Sequence, residues 1–373
     1  MMSWNDVRLD EVVELQRGHD LPLKARLEGN VPVLGSNGVV GYHNQPKYPG
    51  PGVTIGRSGV IGGATFTDGP YWPLNTCLFV RDFKGNDPRW VYYRLKSIDF
   101  TAMDSGSAQP SLNRNYIASY PVSLPPISEQ RAIAEALGAL DDKIAANNKL
   151  ARLTNDLADS VFRQALLKAE FSNETFADIS RVSGGGTPST KQPEYWNGDV
   201  LWATPTDVSA LMAPYLEGTS RTITEEGLNA CASELYPAGT ILMTSRATIG
   251  SFALTQFPTA VNQGFIVVQP TDKNLRYWIF HEMRSRVAEF TAFANGATFL
   301  ELSRGNFKNF RVRQAPYDVM VKFNETAGSL HKLGRAALVE NQTLSSVRDT
   351  LLPQLMSGKI RVREAEAVVE DVL

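Results

Sequence analysis

The side chains best suited to chemistry in this sequence are polar and basic residues in predicted loops, close to glycine. Arginine can hold guanine O6 and N7 with two hydrogen bonds, asparagine and glutamine can pair with adenine, and hydroxyl and lysine side chains bond phosphates. Glycine lets a backbone approach a phosphate closely. For any single loop, ordinary solvated surface is the better interpretation. Together, the candidate DNA-binding residues are Arg57, Ser58, Gln109, Ser111, Asn113, Arg114, Thr187, Ser189, Thr190, Lys191, Thr206, Ser245, Arg246, Arg304, Asn306 and Lys308.

The motifs by which enzymes are recognised do not occur in the sequence. The glycine-rich run at 184–191 has Pro188 where a phosphate cradle needs backbone N–H groups. The run at 124–127 lacks the amide and the aromatic residue of the DNA methyltransferase tetrapeptide. The histidines have no metal-ligand spacing, and there is no nucleophile elbow. We therefore expect a binding module with no catalytic residue, metal site or cofactor site of its own.

Composition restricts the class of protein without identifying it. The chain has 373 residues, of which 43% are hydrophobic, enough for folded cores in two or three domains. Its net charge of −2 is unlike that of a typical nucleic-acid binder, so a fold or a partner would have to concentrate positive charge. The two cysteines form no motif, and neither a secretory leader nor an apolar membrane span is visible. These features predict a cytoplasmic protein without membrane contact.

The elements that position the candidate loops occur in two copies. A β-branched run, a Ser/Arg pair and Ile-Gly occur at 52–63 and again at 239–251, so Arg57-Ser58 aligns with Ser245-Arg246. Matching segments follow in the same order: 75–80 with 262–267, 90–95 with 277–283, and 100–122 with 290–312. The chain is therefore predicted to be a tandem duplication whose halves, 1–126 and 171–316, share one fold.

Each copy is predicted to begin with a mixed α/β region. Short β-branched or aromatic runs bounded by Gly, Pro and Asn predict strands at 53–55, 78–80 and 265–268. A helix is predicted to follow in each copy, at 88–100 and at 273–293. Trp196 and Trp202 could stack on a ligand, but core packing is the commoner role of tryptophan and the one we expect.

Each copy is predicted to end in a long helix. Ser128 is a plausible N-cap for a helix to Ala169, which would be about 60 Å long. In the second copy Pro353 and Ser357-Gly358 are predicted to end the helix. Ordinary core helices are the alternative to a pair that packs on itself as a coiled coil, which we favour. The first seam is Ile133, Leu137, Leu140 and Ile144, resuming at Leu150, Leu153, Leu157 and Val161 after a phase slip at Asn147-Asn148; the second is Leu330, Ala337, Leu344 and Leu351, with Leu333 and Val347 beside it.

Over essentially its whole length the sequence resembles the specificity subunits of type I restriction-modification systems. GGGTPSTKQPEYWNGDVLWATPTD at 184–207 is similar to the opening of a target recognition domain, and GTILMTSRATIG with AVNQGF continues that pattern. The segments 125–144 and 343–362 are similar to the two conserved helical regions of the family. One departure is visible, because the first copy has Gly18-His19-Asp20-Leu21-Pro22 where the GGTPS element is expected.

The resemblance implies a chain that supplies specificity and no catalysis. Two target recognition domains would each read one half of a bipartite site in double-stranded DNA. The helices would dock modification subunits, which methylate adenine with S-adenosylmethionine, and an ATP-dependent restriction subunit would join them. The alternatives are a coiled-coil interaction protein without a DNA role and a divergent methyltransferase, which incubation with labelled S-adenosylmethionine would reveal.

The predicted fold class is α+β: two mixed α/β target recognition domains in tandem pseudo-repeat, separated by two long conserved helices that form an antiparallel coiled coil. The predicted domains are recognition domain 1 at 1–126, conserved helical region 1 at 127–170, recognition domain 2 at 171–316 and conserved helical region 2 at 317–373.

Overall fold

The computed structural model describes residues 4–104, 110–246, 248–294 and 300–372. The chain forms two compact units, Met1–Ala145 with Asn341–Leu373, and Ala146–Glu340. Each unit contains one mixed α/β domain and one stretch of each long helix. No helix among the described residues is both long and apolar enough to cross a bilayer.

The domain of the first unit contains three small sheets. Their strand orders are β1-β9, β2-β8-β5-β6 and β4-β3-β7, with β3 and β7 parallel. Val53, Ile55 and Leu78 lie in its core, as their apolar runs predict. The elements are β1 (Asn5–Arg8), α1 (Leu9–Val12), β2 (Glu14–Arg17), β3 (Val31–Gly35), β4 (Gly38–His43), β5 (Gly52–Gly56), β6 (Gly62–Thr67), β7 (Trp72–Pro73), β8 (Cys77–Asp82), α2 (Pro88–Lys96), α3 (Arg114–Ile117) and β9 (Pro121–Leu124).

The helix predicted at 88–100 is α2, and it is shorter than expected. The Asp87 carboxylate caps its N-terminus by accepting from the N–H groups of Arg89 and Trp90. It ends at Lys96 because Ser97 donates its hydroxyl to the Arg94 carbonyl and closes the last turn.

The first long helix, α4 (Ile127–Leu166), spans 40 residues. The prediction that Ser128 caps it is wrong, since Ser128 already lies inside the first turn. The Pro126 carbonyl accepts the N–H groups of Glu129 and Gln130, so helical bonding starts before Ser128. The helix also ends before Ala169, where the N–H groups of 167–169 form short-range turns.

The domain of the second unit repeats the topology of the first. Its larger sheet has the strand order of the four-stranded sheet in the first domain, with β11, β18, β15 and β16 in the places of β2, β8, β5 and β6. Its smaller sheet, β14-β12-β17, repeats β4-β3-β7, including the parallel pair. The elements are β10 (Glu170–Thr175), α5 (Phe176–Ile179), β11 (Ser180–Ser183), β12 (Trp196–Ala203), α6 (Pro205–Ser209), β13 (Tyr215–Leu216), β14 (Thr222–Ile223), α7 (Glu225–Asn229), β15 (Ile241–Thr244), β16 (Phe252–Thr255), β17 (Thr259–Val261), β18 (Phe265–Pro270), α8 (Arg276–Ser285), α9 (Val287–Ala292), α10 (Arg304–Lys308) and β19 (Arg311–Gln314). The duplicated fold inferred from the sequence is confirmed.

The single helix predicted at 273–293 is wrong, because the chain forms α8 and α9 with a break at Arg286. Arg286 is buried there and its guanidinium bonds Glu282, Glu289 and the Arg311 carbonyl. A buried guanidinium needs several acceptors, and the break between the helices allows one side chain to reach all three.

The second long helix, α11 (Tyr317–Met356), also spans 40 residues, and a short helix, α12 (Val362–Glu370), follows it. Pro353 lies inside α11 and does not end it, contrary to the prediction. The left-handed conformation of Gly358, with φ +68, turns the chain just after the helix. The sequence did not predict α12, which buries Ala365 and Val369 in the core of the first unit.

The long helices pack antiparallel in each unit. In the first unit Ile133, Leu137 and Leu140 share a core with Leu344 and Leu351. Arg348 of α11 bonds Asp141 of α4 there at 2.6 Å. In the second unit Asn147 of α4 bonds Glu340 of α11 at 2.8 Å. The coiled-coil prediction is therefore confirmed, and three of its four positions on α11, Ala337, Leu344 and Leu351, are buried.

The predicted phase slip in α4 is wrong. The four-and-three spacing continues through Asn147, Ala151, Thr154 and Ala158, all of which are buried. Leu153 and Leu157, assigned to the seam by their hydrophobicity, are instead 54% and 51% exposed. Leu333 of α11 is 50% exposed as well. At Ala151 a small side chain suits the seam, because Ala151 also packs against Ala213 and Tyr215 of the second domain.

Candidate nucleic-acid interface

Four of the predicted residues in the first domain line one cleft of about 440 Å³. Arg57, Ser111, Asn113 and Arg114 meet there with Gln16 and Arg17. None of the lining residues is acidic, so three arginine side chains give the cleft a strong local positive charge. The fold thus concentrates basic residues locally although the net charge of the chain is −2.

Backbone pairing brings the separate segments of this cleft together. Ser58 forms an isolated bridge with Ser111, and the Leu112 N–H donates to the Arg57 carbonyl at 2.8 Å. The guanidinium of Arg57 also donates to the Asn75 carbonyl at 3.3 Å, which orients the side chain. Gln109 lies outside the described residues.

Arg114 is the first residue of α3, and Asn113 caps that helix by accepting the Asn115 N–H at 3.0 Å. The Asn113 side chain therefore has a structural role besides any contact with a ligand. Arg17 and Gln16 were missed by the sequence analysis, because only the β2-β8 pairing places the end of β2 beside Arg57.

The second domain does not repeat the Arg57 position. In the first domain Ser58 forms a backbone bridge with Ser111, and in the second domain Arg246 forms the corresponding bridge with Glu301. The Leu302 N–H donates to the Ser245 carbonyl, as the Leu112 N–H donates to the Arg57 carbonyl. Arg246 therefore takes the place of Ser58, and buried Ser245 takes the place of Arg57. The two arginines are not equivalent, although the sequence alignment pairs their dipeptides. The Arg246 guanidinium instead forms an ion pair with Glu301 at 2.8 Å.

Arg114 and Arg304 are equivalent in position. Arg304 is the first residue of α10, which Ser303 caps by accepting the Asn306 N–H at 3.1 Å. The Arg304 side chain lies over Gly184, so closely that a Cβ on Gly184 would collide with it. Arg304, Asn306 and Lys308 are all exposed on this short helix, while Phe307 anchors it in the core.

Two tryptophans hold the glycine-rich loop that follows β11. Trp202 donates its indole N–H to the Gly186 carbonyl at 3.1 Å, and Trp196 donates to the Ser189 carbonyl at 3.2 Å. Both tryptophans are buried, as expected. The loop thereby presents four exposed candidates to solvent: Thr187, Ser189, Thr190 and Lys191.

Close backbone packing explains the glycine at the start of this loop. A Cβ on Gly185 would overlap the Val261 carbonyl, and a Cβ on Gly18 of the first domain would overlap the Leu74 carbonyl. The first domain therefore keeps this packing although it lacks the remainder of the GGTPS element. Its residues His19, Asp20 and Leu21 replace the hydroxyl-bearing loop.

Other bonds place Thr187 and Thr206 near Ser245. The Thr187 hydroxyl donates to the Gln263 side chain at 2.6 Å, and the next residue, Gly264, accepts the Ser245 N–H. Thr206 is exposed in α6, whose Pro205 contacts Gly264. Burial would raise the pKa of Asp207, but bonds from Thr204 and Ser220 outweigh it and lower that pKa, so an ionised carboxylate caps α6.

Arg221 is a basic residue that the sequence analysis missed. Its guanidinium carbon lies 3.6 Å from the ring centre of Trp196, a cation–π contact that fixes an exposed charge beside the glycine-rich loop. No cluster of three or more potential metal ligands occurs among the described residues.

Comparison with known proteins identifies the family. A family model described as "Type I restriction modification DNA specificity domain" matches residues 1–155 and 169–316. The chain belongs to this family. Each match covers one of the two mixed domains, and the first also extends into α4.

Individual members of the specificity family match parts of the chain. It is 37% identical over 137 residues to the type I restriction enzyme MjaIX specificity subunit of Methanocaldococcus jannaschii, which is 36% of this chain and 32% of that protein. It is 24% identical over 268 residues to the EcoR124I/EcoR124II specificity subunit of Escherichia coli, 65% of this chain and 64% of that protein. The matches thus span less than two thirds of these relatives.

The same fold occurs in a solved structure. The S subunit of a type I restriction-modification system from M. genitalium superposes with a TM-score of 0.61 at 16% identity, over 94% of this chain and 96% of that one. This likeness shows the specificity-subunit fold.

Proposed function

We propose that this chain is the DNA-recognition subunit of a type I restriction-modification complex and has no catalytic role of its own. Each mixed domain reads one half of a bipartite site in double-stranded DNA. The observation that carries this proposal is the arginine at the start of the same short helix in both copies, Arg114 and Arg304, beside the Arg57 cleft and the glycine-rich loop. Arginine at such places can bond guanine or phosphate.

The two half-sites are read by different side chains. The first domain offers Arg17, Arg57 and Arg114 in one cleft. The second offers Arg304, Arg246 and a hydroxyl-rich loop steadied by tryptophans. Such a difference on one fold suits an asymmetric sequence, because each base pair presents its own pattern of donors and acceptors in the major groove.

The modification subunits dock on the long helices. Exposed leucines lie on one flank of the long helices. Each of them comes one position before a buried seam residue: Leu153 and Leu157 in α4, and Leu333 in α11. Half-exposed leucines in a row are unfavourable in water and suit a protein interface. S-adenosylmethionine is bound by the modification subunits and ATP by the restriction subunit, and the complex acts on DNA in the cytoplasm.

The test is binding of this chain, assembled with modification subunits, to DNA libraries randomised in one half-site at a time. We expect a defined preference in each half and weaker binding at higher salt, since phosphate contacts release counterions. The chain should transfer no methyl group from labelled S-adenosylmethionine when incubated alone. Binding without sequence preference in both libraries, or methyl transfer by the chain alone, would refute the proposal.

A further inference from the structure

A buried chain of hydrogen bonds joins the second domain to both long helices within the second unit. His281 of α8 lies 2.6 Å from Asp159 of α4 and 2.9 Å from His331 of α11. His331 lies 3.0 Å from the hydroxyl of Tyr215 in β13. The histidines are 1% and 2% exposed, so these bonds are shielded from bulk water.

The proton positions in this series of hydrogen bonds follow from which groups can donate and which can only accept. Burial would raise the pKa of Asp159, but hydrogen bonds from His281 and Arg284 outweigh it and lower the pKa to about 2, so the carboxylate only accepts. The proton of His281 must then lie on Nδ1, and its Nε2 accepts from the Nε2–H of His331. The Nδ1 of His331 in turn accepts from the Tyr215 hydroxyl. With both imidazoles neutral, every bond has one donor and no ring carries a charge, whereas with both protonated two N–H donors would face each other between His281 and His331.

The surroundings of this hydrogen-bond series oppose a positive charge on the imidazole of His281 or of His331. Burial lowers the pKa of His281. Burial, followed by the nearby His281 and Arg284, lowers the pKa of His331 to about 3. Other titratable groups also lie around the pair. Tyr277 stacks on His331, and the cleft at His331 is lined by Lys332, Arg276 and Arg335, the last paired with Glu217. Arg163 lines the cleft at His281. Clefts of about 460 and 420 Å³ reach His281 and His331 respectively, so protons have a route to both.

The corresponding junction in the first unit is built from different residues. The sequence repeat aligns Tyr93 with His281 and Asp141 with His331. Tyr93 of α2 donates to Asp141 of α4 at 2.7 Å, and Arg348 of α11 donates to the same carboxylate at 2.6 Å. None of these three side chains ordinarily changes its charge between pH 5.5 and 7.5.

We propose that His281 and His331 are positioning residues that hold the second recognition domain on the long helices only while both are neutral, so that mild acid loosens this domain and not the first. Protonation of either ring would add a charge to the buried pair, and protonation of both would place two donors in the bond between them. In an opened junction the imidazoles regain their ordinary pKa near 6.5 and take up protons more readily. The closed junction therefore loses stability as the pH falls below about 6.5. The function of the domain does not enter this inference.

Hydrogen exchange of the full-length chain at pH 7.5 and 5.5, corrected for intrinsic rates, tests the proposal without DNA. Protection of residues 276–285 should fall about tenfold for each histidine that titrates in the open state. Protection of residues 88–96 should hold, which makes the first unit an internal control. Its own histidines, His19 and His43, bond Tyr48 and the Leu27 N–H, away from α2.

Two variants separate titration from packing. In His281→Gln with His331→Gln, each amide can donate once and accept once, so the chain of bonds is kept without a titrating group. This variant should retain protection of 276–285 at pH 7.5 and lose the fall at pH 5.5. His331→Leu removes the partner of the Tyr215 hydroxyl and of the His281 Nε2, so it should lower protection at both pH values. No fall in the wild type, or an equal fall in the glutamine variant, would overturn the proposal.

Discussion

At the scale of single residues, the two arginines that the sequence repeat brings together have different surroundings. Arg57 shares a cleft with two further arginines, whereas Arg246 is paired with Glu301. Because neighbouring positions of an extended strand point to opposite faces, a shift of one place changes the surface that a side chain meets. The alignment of Arg57-Ser58 with Ser245-Arg246 therefore identifies equivalent loops, but it does not make the two arginines equivalent.

Arg57→Ala should weaken recognition of the first half-site only. If Arg57 holds a base, about 1–3 kcal/mol of binding free energy and the preference at one position are lost. If it holds a phosphate, binding to all sequences weakens and the salt slope falls by about one unit. Library binding at two salt concentrations distinguishes these results. Arg81→Ala, in the same domain but outside the cleft, is the control, and equal effects of both changes would contradict the assignment.

Glu301→Gln should strengthen DNA binding through the second domain. The exposed Arg246–Glu301 pair competes with a phosphate for the same guanidinium, and such pairs contribute about 0–1 kcal/mol. Its removal should raise affinity by up to about fivefold at low salt and less at high salt. Glu234→Gln removes the partner of Arg181 and changes the net charge equally. If both variants bind equally tightly, the gain reflects net charge and Arg246 has no special role.

At the scale of elements, burial in the long helices does not follow hydrophobicity: some seam residues are polar or small, and some leucines are exposed. The seam of α4 passes from leucine and isoleucine to asparagine, alanine and threonine without changing its spacing. Spacing is set by helix geometry, whereas the size of a seam residue is set by how closely its neighbours approach. The leucines left outside the seam on one flank remain available to a partner.

Leu344→Asp should greatly reduce stability, whereas Leu153→Asp should leave it nearly unchanged. Leu344 is fully buried, so the change leaves a cavity and an unpaired carboxylate and should cost at least about 3 kcal/mol of unfolding free energy. Leu153 is 54% exposed, so its change should alter stability by no more than about 0.5 kcal/mol. Urea unfolding measures both.

The same pair of variants tests docking. Leu153→Asp should keep the fold and weaken association with modification subunits, as measured by co-sedimentation. Normal association of a folded Leu153→Asp protein would exclude this flank as the docking surface. Unfolding of Leu344→Asp at wild-type urea concentration would show that the seam contributes little to stability.

At the scale of the whole molecule, the duplication gives two domains of one topology with separate chemistry. Arg114 and Arg304 occupy the same position in different compact units. Their substitutions should therefore be additive. Arg114→Ala and Arg304→Ala should each affect a different half-site, and the double variant should equal their sum within about 0.5 kcal/mol. A larger deviation in binding free energy would mean that the domains read DNA as one coupled surface.

The sequence by itself determined the duplication, the mixed domains and the paired long helices. Each of these depends on local patterns that the chain repeats, such as β-branched runs between turn residues and apolar spacing of four and three. The buried tryptophans and Leu344 also followed from their residue type. The candidate loops were found in the same way, and their contacts with DNA remain predictions.

Only the tertiary structure decided which side chains meet. Arg17 joined the Arg57 cleft through strand pairing, and Arg246 was separated from it by a shift of one position. The break at Arg286 and the buried histidine pair likewise depend on partners distant in the chain. A seam of small residues could not be identified by hydrophobicity, because the space available at Ala151 is set by the domain packed against it. Local sequence does not predict such neighbours, because they come into contact only when distant segments fold together.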